Sequence, residues 1–288
     1  MKIVLGTANF GSQYGILKNK SLSMATVGKL LSFAKKKNIL MIDTAINYIG
    51  SEKILGNFDL SDFKIITKLP NPPKNFKNIE DWVNKEIEES LKRLSIKKLY
   101  AILIHDSNLF VNPNIDSIMK SLKKLQDRKL VQKIGISIYD LKILKKILKK
   151  YRYIKIVQVP LNLFNRQLIT SGWIKKLNNM NIEVHIRSIF LQGLLLVDRK
   201  LIPKFFKSWM NKFRDLENWH INRKLDILTT CIKFVSNNNL INKIVIGVEN
   251  LNQLKQIYKI FNDKKRQVIP RIFSKDKKLI YPYNWKLK

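Results

Sequence analysis

Asp43, Tyr48, Lys68 and His105 bring a carboxylate, a phenol, an ammonium and an imidazole, each at or just past the end of a short apolar run. The runs are L-M-I-D-T-A-I-N-Y (40–48), K-I-I-T-K (64–68) and L-Y-A-I-L-I-H (99–105). If they are successive parallel strands, the four side chains converge on one mouth. Together they form a proton-donating device, because a nearby ammonium favours phenolate and lowers the tyrosine pKa.

Elements able to position such a set alternate along the whole chain. I-V-L-G-T (3–7) reads as a first strand. A helical pattern over 21–38 follows it and starts on serine caps. S-E-K-I-L-G opens a short helix after Asp43, and L-P-N-P-P-K breaks the chain after Lys68. N-I-E-D-W-V-N-K-E-I-E-E-S-L-K-R-L is an amphipathic helix capped by Asn78, with acids in its first turn. Further strands are expected at 131–137, 154–159, 182–188 and 243–248. Helices are expected at about 114–129, after Tyr139, near 167–180, within the long connection 189–240 and after Asn250. Eight strand–helix units with continuously apolar strands predict a parallel sheet covered by helices. Eight is the count of a closed (β/α)8 TIM barrel, an α/β single domain whose chemistry sits at the C-terminal ends of its strands. A basic tail, 263–288, is expected near that mouth. No G-x-G-x-x-G follows the first strand, so an open dinucleotide-binding sheet has no support.

Composition narrows the classes further. The 288 residues are 45% hydrophobic, which suits a folded domain and excludes a disordered chain. One cysteine, Cys231, allows no internal disulfide and no cysteine-based metal site, and reads as a small buried apolar group. The opening apolar run is too short for a signal-peptide core and no run reaches membrane-spanning length, so a cytoplasmic protein without membrane contact is expected. Lys and Arg number 55 against 21 Asp and Glu, a net charge of +34. The lysines are scattered over many helix faces with no aromatic–basic stacking motif. Weak polyanion binding is expected, and no specific nucleic-acid partner. His185 and His220 lack a metal-ligand partner at useful spacing, and no metal is expected.

The stretch I-D-T-A-I-N-Y-I-G-S-E-K-I-L-G resembles the signature D-T-A-x-x-Y-G-x-S-E-x-x-L-G of the aldo-keto reductases. Thr67-Lys68 and Ile104-His105 follow at suitable distances. I-G-I-S (134–137), V-Q-V-P-L-N-L-F-N-R (157–166), R-S-I-F-L-Q-G-L-L (187–195) and I-V-I-G-V-E-N-L-N-Q-L (244–254) continue the resemblance in order. The opening L-G-T-A-N-F-G-S-Q-Y-G-I and the R-S-x-F-L-Q-G run are similar to a bacterial subgroup associated with carbohydrate biosynthesis.

The resemblance implies an NAD(P)H-dependent oxidoreductase that reduces an aldehyde or ketone, sugar-derived among the options, to an alcohol. Tyr48 would be the general acid, Lys68 would lower its pKa, Asp43 would pair with Lys68, and His105 would orient the carbonyl. On the cofactor side it implies Ser137 and Gln158 for the nicotinamide carboxamide, and Ser188, Leu191 and Gly193 for the pyrophosphate. Gly247 and a helix start near Asn250 complete an anion site. Three positions depart from the pattern. Ile49 stands where the signature has Gly, with Gly50 one place later. Arg187 takes the place of a tyrosine that stacks on the nicotinamide. Gln253 replaces an arginine that grips a 2′-phosphate, which leaves the cofactor choice open, with NADP(H) placed ahead of NAD(H).

The rival reading is a non-catalytic nucleotide-binding barrel that senses or scaffolds; the complete set of four polar residues weighs against it. Loops at about 9–20, 70–77 and 106–113 and the tail would shape the substrate pocket, so substrate identity is not legible, and neither is oligomeric state.

Overall fold

The computed structural model describes residues 1–16, 21–73 and 78–287. The parts of the expected pocket loops at 17–20 and 74–77, and residue 288 of the tail, lie outside the described residues. Eight parallel strands close into a barrel in sequence order: β1 (Ile3–Gly6), β2 (Met41–Asp43), β3 (Lys64–Leu69), β4 (Leu99–Ile104), β5 (Val131–Ser137), β6 (Ile154–Pro160), β7 (Glu183–Arg187) and β8 (Lys243–Gly247). The ring closes where Ile3 to Gly6 pair with Ile244 to Gly247. This is the (β/α)8 barrel expected from the alternation of elements.

The helices are α1 (Met24–Lys36), α2 (Ser51–Leu55), α3 (Ile79–Leu94), α4 (Ile115–Asp127), α5 (Leu144–Lys150), α6 (Gln167–Thr170), α7 (Trp173–Asn179), α8 (Met210–Arg223), α9 (Ile227–Ser236), α10 (Leu251–Asn262) and α11 (Lys277–Ile280). Their starts follow the chemistry of the sequence. Ser23 caps α1 by accepting from Thr26 N, and Asn78 caps α3 by accepting from Glu80 N and Asp81 N. The helix expected near 167–180 is two helices, because Gly172 takes φ 73° and starts the second afresh. The connection 189–240 holds both α8 and α9.

Alternate strand residues divide the core. Ile3, Leu5, Ile42, Ile65, Ile102, Ile134, Val157, Val184 and Ile244 point outward and pack with the helices. Val4, Met41, Ile66, Ala101, Leu103 and Ile156 pack inside the barrel and close its bore. Below this plug, Glu183 accepts from the Tyr100 hydroxyl at 2.8 Å and from the Lys133 ammonium, and contacts His185 Nε2 at 2.9 Å. A second cluster, built around Phe206, Phe213, Leu279, Ile280 and Tyr281, joins α8 and the tail beside the mouth.

Candidate active site

Above the plug the interior turns polar. Asp43, the last residue of β2, receives the Lys68 ammonium on Oδ1 at 2.5 Å and the Gln158 side-chain amide on Oδ2 at 2.6 Å. Lys68 also donates to Thr44 O at 2.7 Å. The ion pair is almost closed to solvent, with Lys68 1% and Asp43 4% exposed. Burial pushes the lysine pKa down and Asp43 opposes that shift.

Tyr48 stands five residues beyond β2, on the loop before α2. The Lys68 ammonium lies 5.0 Å from the centre of its ring, and the His105 ring meets it edge-on at 5.7 Å. Burial raises the Tyr48 pKa above the ordinary tyrosine value, Asp43 raises it further, and Arg187 pulls it down. Tyr48 is therefore a phenol, not a phenolate, over the physiological range, and the lowered pKa expected from the neighbouring ammonium is not found, because burial outweighs it. His105 follows β4, with its amide bonded to Leu69 O at 3.0 Å. Its imidazole is lowered to about 3 by burial first, then by Lys68 and Arg187, so it is neutral near pH 7.

The Tyr48 loop is held by close backbone approach. A Cβ on Gly11 would lie 2.0 Å from Ile49 O, so the loop after β1 can pass there only as glycine. Ile49 points into solvent, 75% exposed, and Gly50 takes the positive φ of 71° that starts α2. The glycine displaced in the sequence is thus displaced in the turn as well. Glu52, absent from the candidate site residues, is buried just beyond. It accepts from Thr67 Oγ1 at 2.6 Å, Ser90 Oγ at 2.7 Å and Arg93 Nε at 2.8 Å, locking α2 to β3 and α3. The signature's Ser-Glu pair was its only signal.

The other candidate residues form a second arc of the mouth. Ser137 and Gln158 are register partners on β5 and β6, and both are buried. Among the described residues, Gln158 Oε1 and Asn9 Oδ1 are buried without a hydrogen-bond partner. After β7, Ser188, Leu191, Gln192 and Gly193 all have positive φ, from 50° to 89°, and the loop closes on itself, with Leu191 N donating to Ser188 O at 2.9 Å and Gly193 N to Phe190 O at 3.0 Å. Asn162 supports this loop by donating to Ser188 O at 3.0 Å, and Gln192 O accepts from Ile16 N at 3.0 Å. Gly247 ends β8, and Asn250 caps α10 by accepting from Gln253 N at 3.0 Å. Gln253 in turn accepts from Glu249 N at 2.8 Å.

Arg187 lies on an aromatic wall, its guanidinium 4.0 Å from the centre of the Tyr139 ring. Tyr139 meets Tyr281 and Tyr283 of the tail at 5.3 and 4.8 Å between ring centres, and the Tyr281 hydroxyl donates to Tyr139 O at 3.1 Å. Neither Tyr139 nor the tail tyrosines carried a sequence signal, since their meeting depends on how the tail folds back. His185, His220 and Cys231 lie elsewhere and are buried. His220 is satisfied by Leu216 O at 2.7 Å and Thr230 Oγ1 at 3.0 Å. Among the described residues no group of three or more His, Cys, Asp or Glu is arranged to hold a metal ion. No helix among them is long and apolar enough to cross a membrane.

The model of the aldo/keto reductase family matches residues 2–276. The chain belongs to this family. Among solved structures, it superposes on the aldo-keto reductase AKR11C1 from Bacillus halodurans (holo form) with a TM-score of 0.73 at 15% identity, over 93% of this chain and 88% of that one. It superposes on the glycerol dehydrogenase AKR11B4 from Gluconobacter oxydans with a TM-score of 0.70 at 22% identity, over 92% and 87%. At such identities the likeness is one of fold. No curated protein matches the sequence. As an aldo/keto reductase the chain is an oxidoreductase by family.

Proposed function

We propose that this aldo/keto reductase reduces an aldehyde or ketone, sugar-derived among the options, to an alcohol with a nicotinamide dinucleotide, and that Tyr48 supplies the proton. The observation that carries the reading is the packing of Tyr48 between the Lys68 ammonium and the neutral His105 imidazole. Tyr48 stays protonated at rest and holds a proton to give. The carbonyl oxygen gains negative charge as it is reduced, and a phenol beside an ammonium is suited to protonate it. His105, being neutral, offers a hydrogen bond to the same oxygen without competing as an acid. Asp43 fixes Lys68, and the Lys68 charge stabilises phenolate after the proton has left.

The second arc fits a dinucleotide. Gln158 Oε1 is a buried acceptor without a partner, and with Ser137 it would take the nicotinamide carboxamide. Ser188, Leu191 and Gly193 would line the pyrophosphate site, and Gly247 with the start of α10 at Asn250 and Gln253 would hold the far phosphate end. The reduced nicotinamide, when bound, supplies the hydride. NADP(H) ahead of NAD(H) remains part of the proposal, as does a reduced, cytoplasmic setting, which rests on the single buried Cys231. The complete set of four polar residues favours catalysis over a sensing or scaffolding barrel.

The test is NADPH and NADH oxidation against a panel of aldehydes and keto-sugars, in the wild type and Tyr48→Phe. Loss of the proton donor should lower kcat by about 10²–10⁴-fold while cofactor affinity stays within a few-fold. A Tyr48→Phe variant that keeps wild-type kcat on a good substrate would refute the assignment.

A further inference from the structure

Arg187 ends β7 on the inward-facing register of Glu183 and His185, which brings it to the mouth. Its guanidinium is half-buried on the Tyr139 ring and donates a long hydrogen bond to Ser188 Oγ at 3.4 Å. Among the described residues it forms no ion pair. The carboxylates beside it are committed elsewhere. Asp43 is bonded on both oxygens by Lys68 and Gln158, and Asp140, next to Tyr139, is paired with Lys277 at 2.7 Å and bonded by Lys142 N at 3.0 Å.

Beside Tyr48, Asp43 is matched by Lys68 and His105 is neutral, which leaves the Arg187 charge without a carboxylate of its own among the described residues. Arg187 lies close enough to the phenol that its charge acts on Tyr48, Lys68, His105 and Tyr14. A guanidinium partly withdrawn from water without a counter-ion is half of an interaction. Its planar fork matches the two oxygens of a carboxylate or phosphate.

We propose that Arg187 is a specificity-determining residue: the carbonyl substrate carries a carboxylate or phosphate, which Arg187 receives against the wall of Tyr139, Tyr281 and Tyr283. This rests on the reading of the mouth as a carbonyl-reducing site. The cofactor's own pyrophosphate is the other source of the same chemistry, because its cradle begins at the next residue, Ser188.

The experiment compares kcat/KM for succinic semialdehyde with that for its uncharged methyl ester, in the wild type, Arg187→Met and Arg187→Lys. The wild type should prefer the anion by about tenfold or more, and the ratio should fall toward one in Arg187→Met, whatever the change in absolute rates. Arg187→Lys should keep part of the preference, having charge without the fork. No preference in the wild type, or a preference untouched in Arg187→Met, overturns the proposal. So does a loss confined to cofactor affinity, which would assign the guanidinium to the pyrophosphate. If neither aldehyde is reduced, the panel of carbonyls decides the carbonyl-reducing reading, and binding decides this one separately. Succinate titrated calorimetrically should bind the wild type and Arg187→Lys and not Arg187→Met; equal binding to wild type and Arg187→Met, or none to either, overturns the anion site.

Discussion

Gln158 and Asp43 meet across the width of the barrel, the amide from β6 donating at 2.6 Å to the carboxylate from β2, four strands away in either direction. Asp43 is thereby fixed on both oxygens, and its charge depends on Lys68 for compensation. Lys68→Met would leave a buried carboxylate with a neutral donor alone, at a cost of about 3–5 kcal/mol. The double variant Asp43→Asn/Lys68→Met should recover part of that in urea unfolding, because neither charge is left. A double variant no more stable than Lys68→Met would show that the uncompensated charge is not the cause.

The neutral His105 gives a pH dependence of defined sign. Its imidazole takes up a proton near 6.5 when unfolded and at about 3 when folded, so the unfolded chain binds more protons between those values. The stability contributed by His105 is full above about pH 6.5 and is lost as pH falls toward 3. His105→Gln should therefore show a smaller fall in unfolding free energy than the wild type on going from about pH 7 to about pH 4. A limb near pH 6.5 in kcat/KM that vanishes in His105→Gln would place an imidazolium in the free enzyme and contradict this.

Gly11 and Ile49 predict opposite outcomes on neighbouring backbone. Gly11→Ala drives a Cβ into Ile49 O and must displace the loop that carries Tyr48, so stability should fall by roughly 1–3 kcal/mol and turnover with it. Ile49→Gly, which restores the family's residue, should leave turnover within about twofold, because the isoleucine side chain projects into solvent. Thermal melts and steady-state rates on the two variants check both.

Gln253 is spent on the α10 cap through Glu249 N, and its neutral amide gives a 2′-phosphate no charge to meet there. Gln253→Arg should shift the ratio of NADH to NADPH dissociation constants toward NADPH by about tenfold. Loss of the reciprocal cap should reduce stability by about 0.5–1 kcal/mol. An unchanged ratio in cofactor titrations would locate the 2′-phosphate away from this helix start.

The barrel was legible because parallel strands buried on both faces leave unbroken apolar runs, as in Ile3–Gly6 and Leu99–Ile104. Caps such as Ser23, Asn78 and Asn250 were legible because capping is local chemistry. Of the site, the four polar positions at strand ends could be read from type and spacing. The Gln158–Asp43 bond could not, since it joins residues 115 positions apart and needs the closed barrel to exist. Arg187 could be placed on β7, but its seat on Tyr139 joins the ends of β7 and β5, which come together only in the closed barrel. That tail read as a basic extension because its lysines conceal the fully buried Leu279, Ile280 and Tyr281. The surroundings of Glu52 were hidden for the same reason as the cross-barrel bond: three elements must meet before a buried carboxylate has its partners.

The groups proposed to handle the proton lie at or beyond the ends of β2, β3 and β4, while the wall beside Arg187 draws on Tyr281 and Tyr283, some 180 residues later. Mutation can reach one without the other. If the proposed roles hold, substitutions around α11 would alter which molecules are admitted while Asp43, Tyr48, Lys68 and His105 stay in place, so selection could change the diet of this barrel without reinventing its reaction. Descendants of one such gene are free to part company at the tail first.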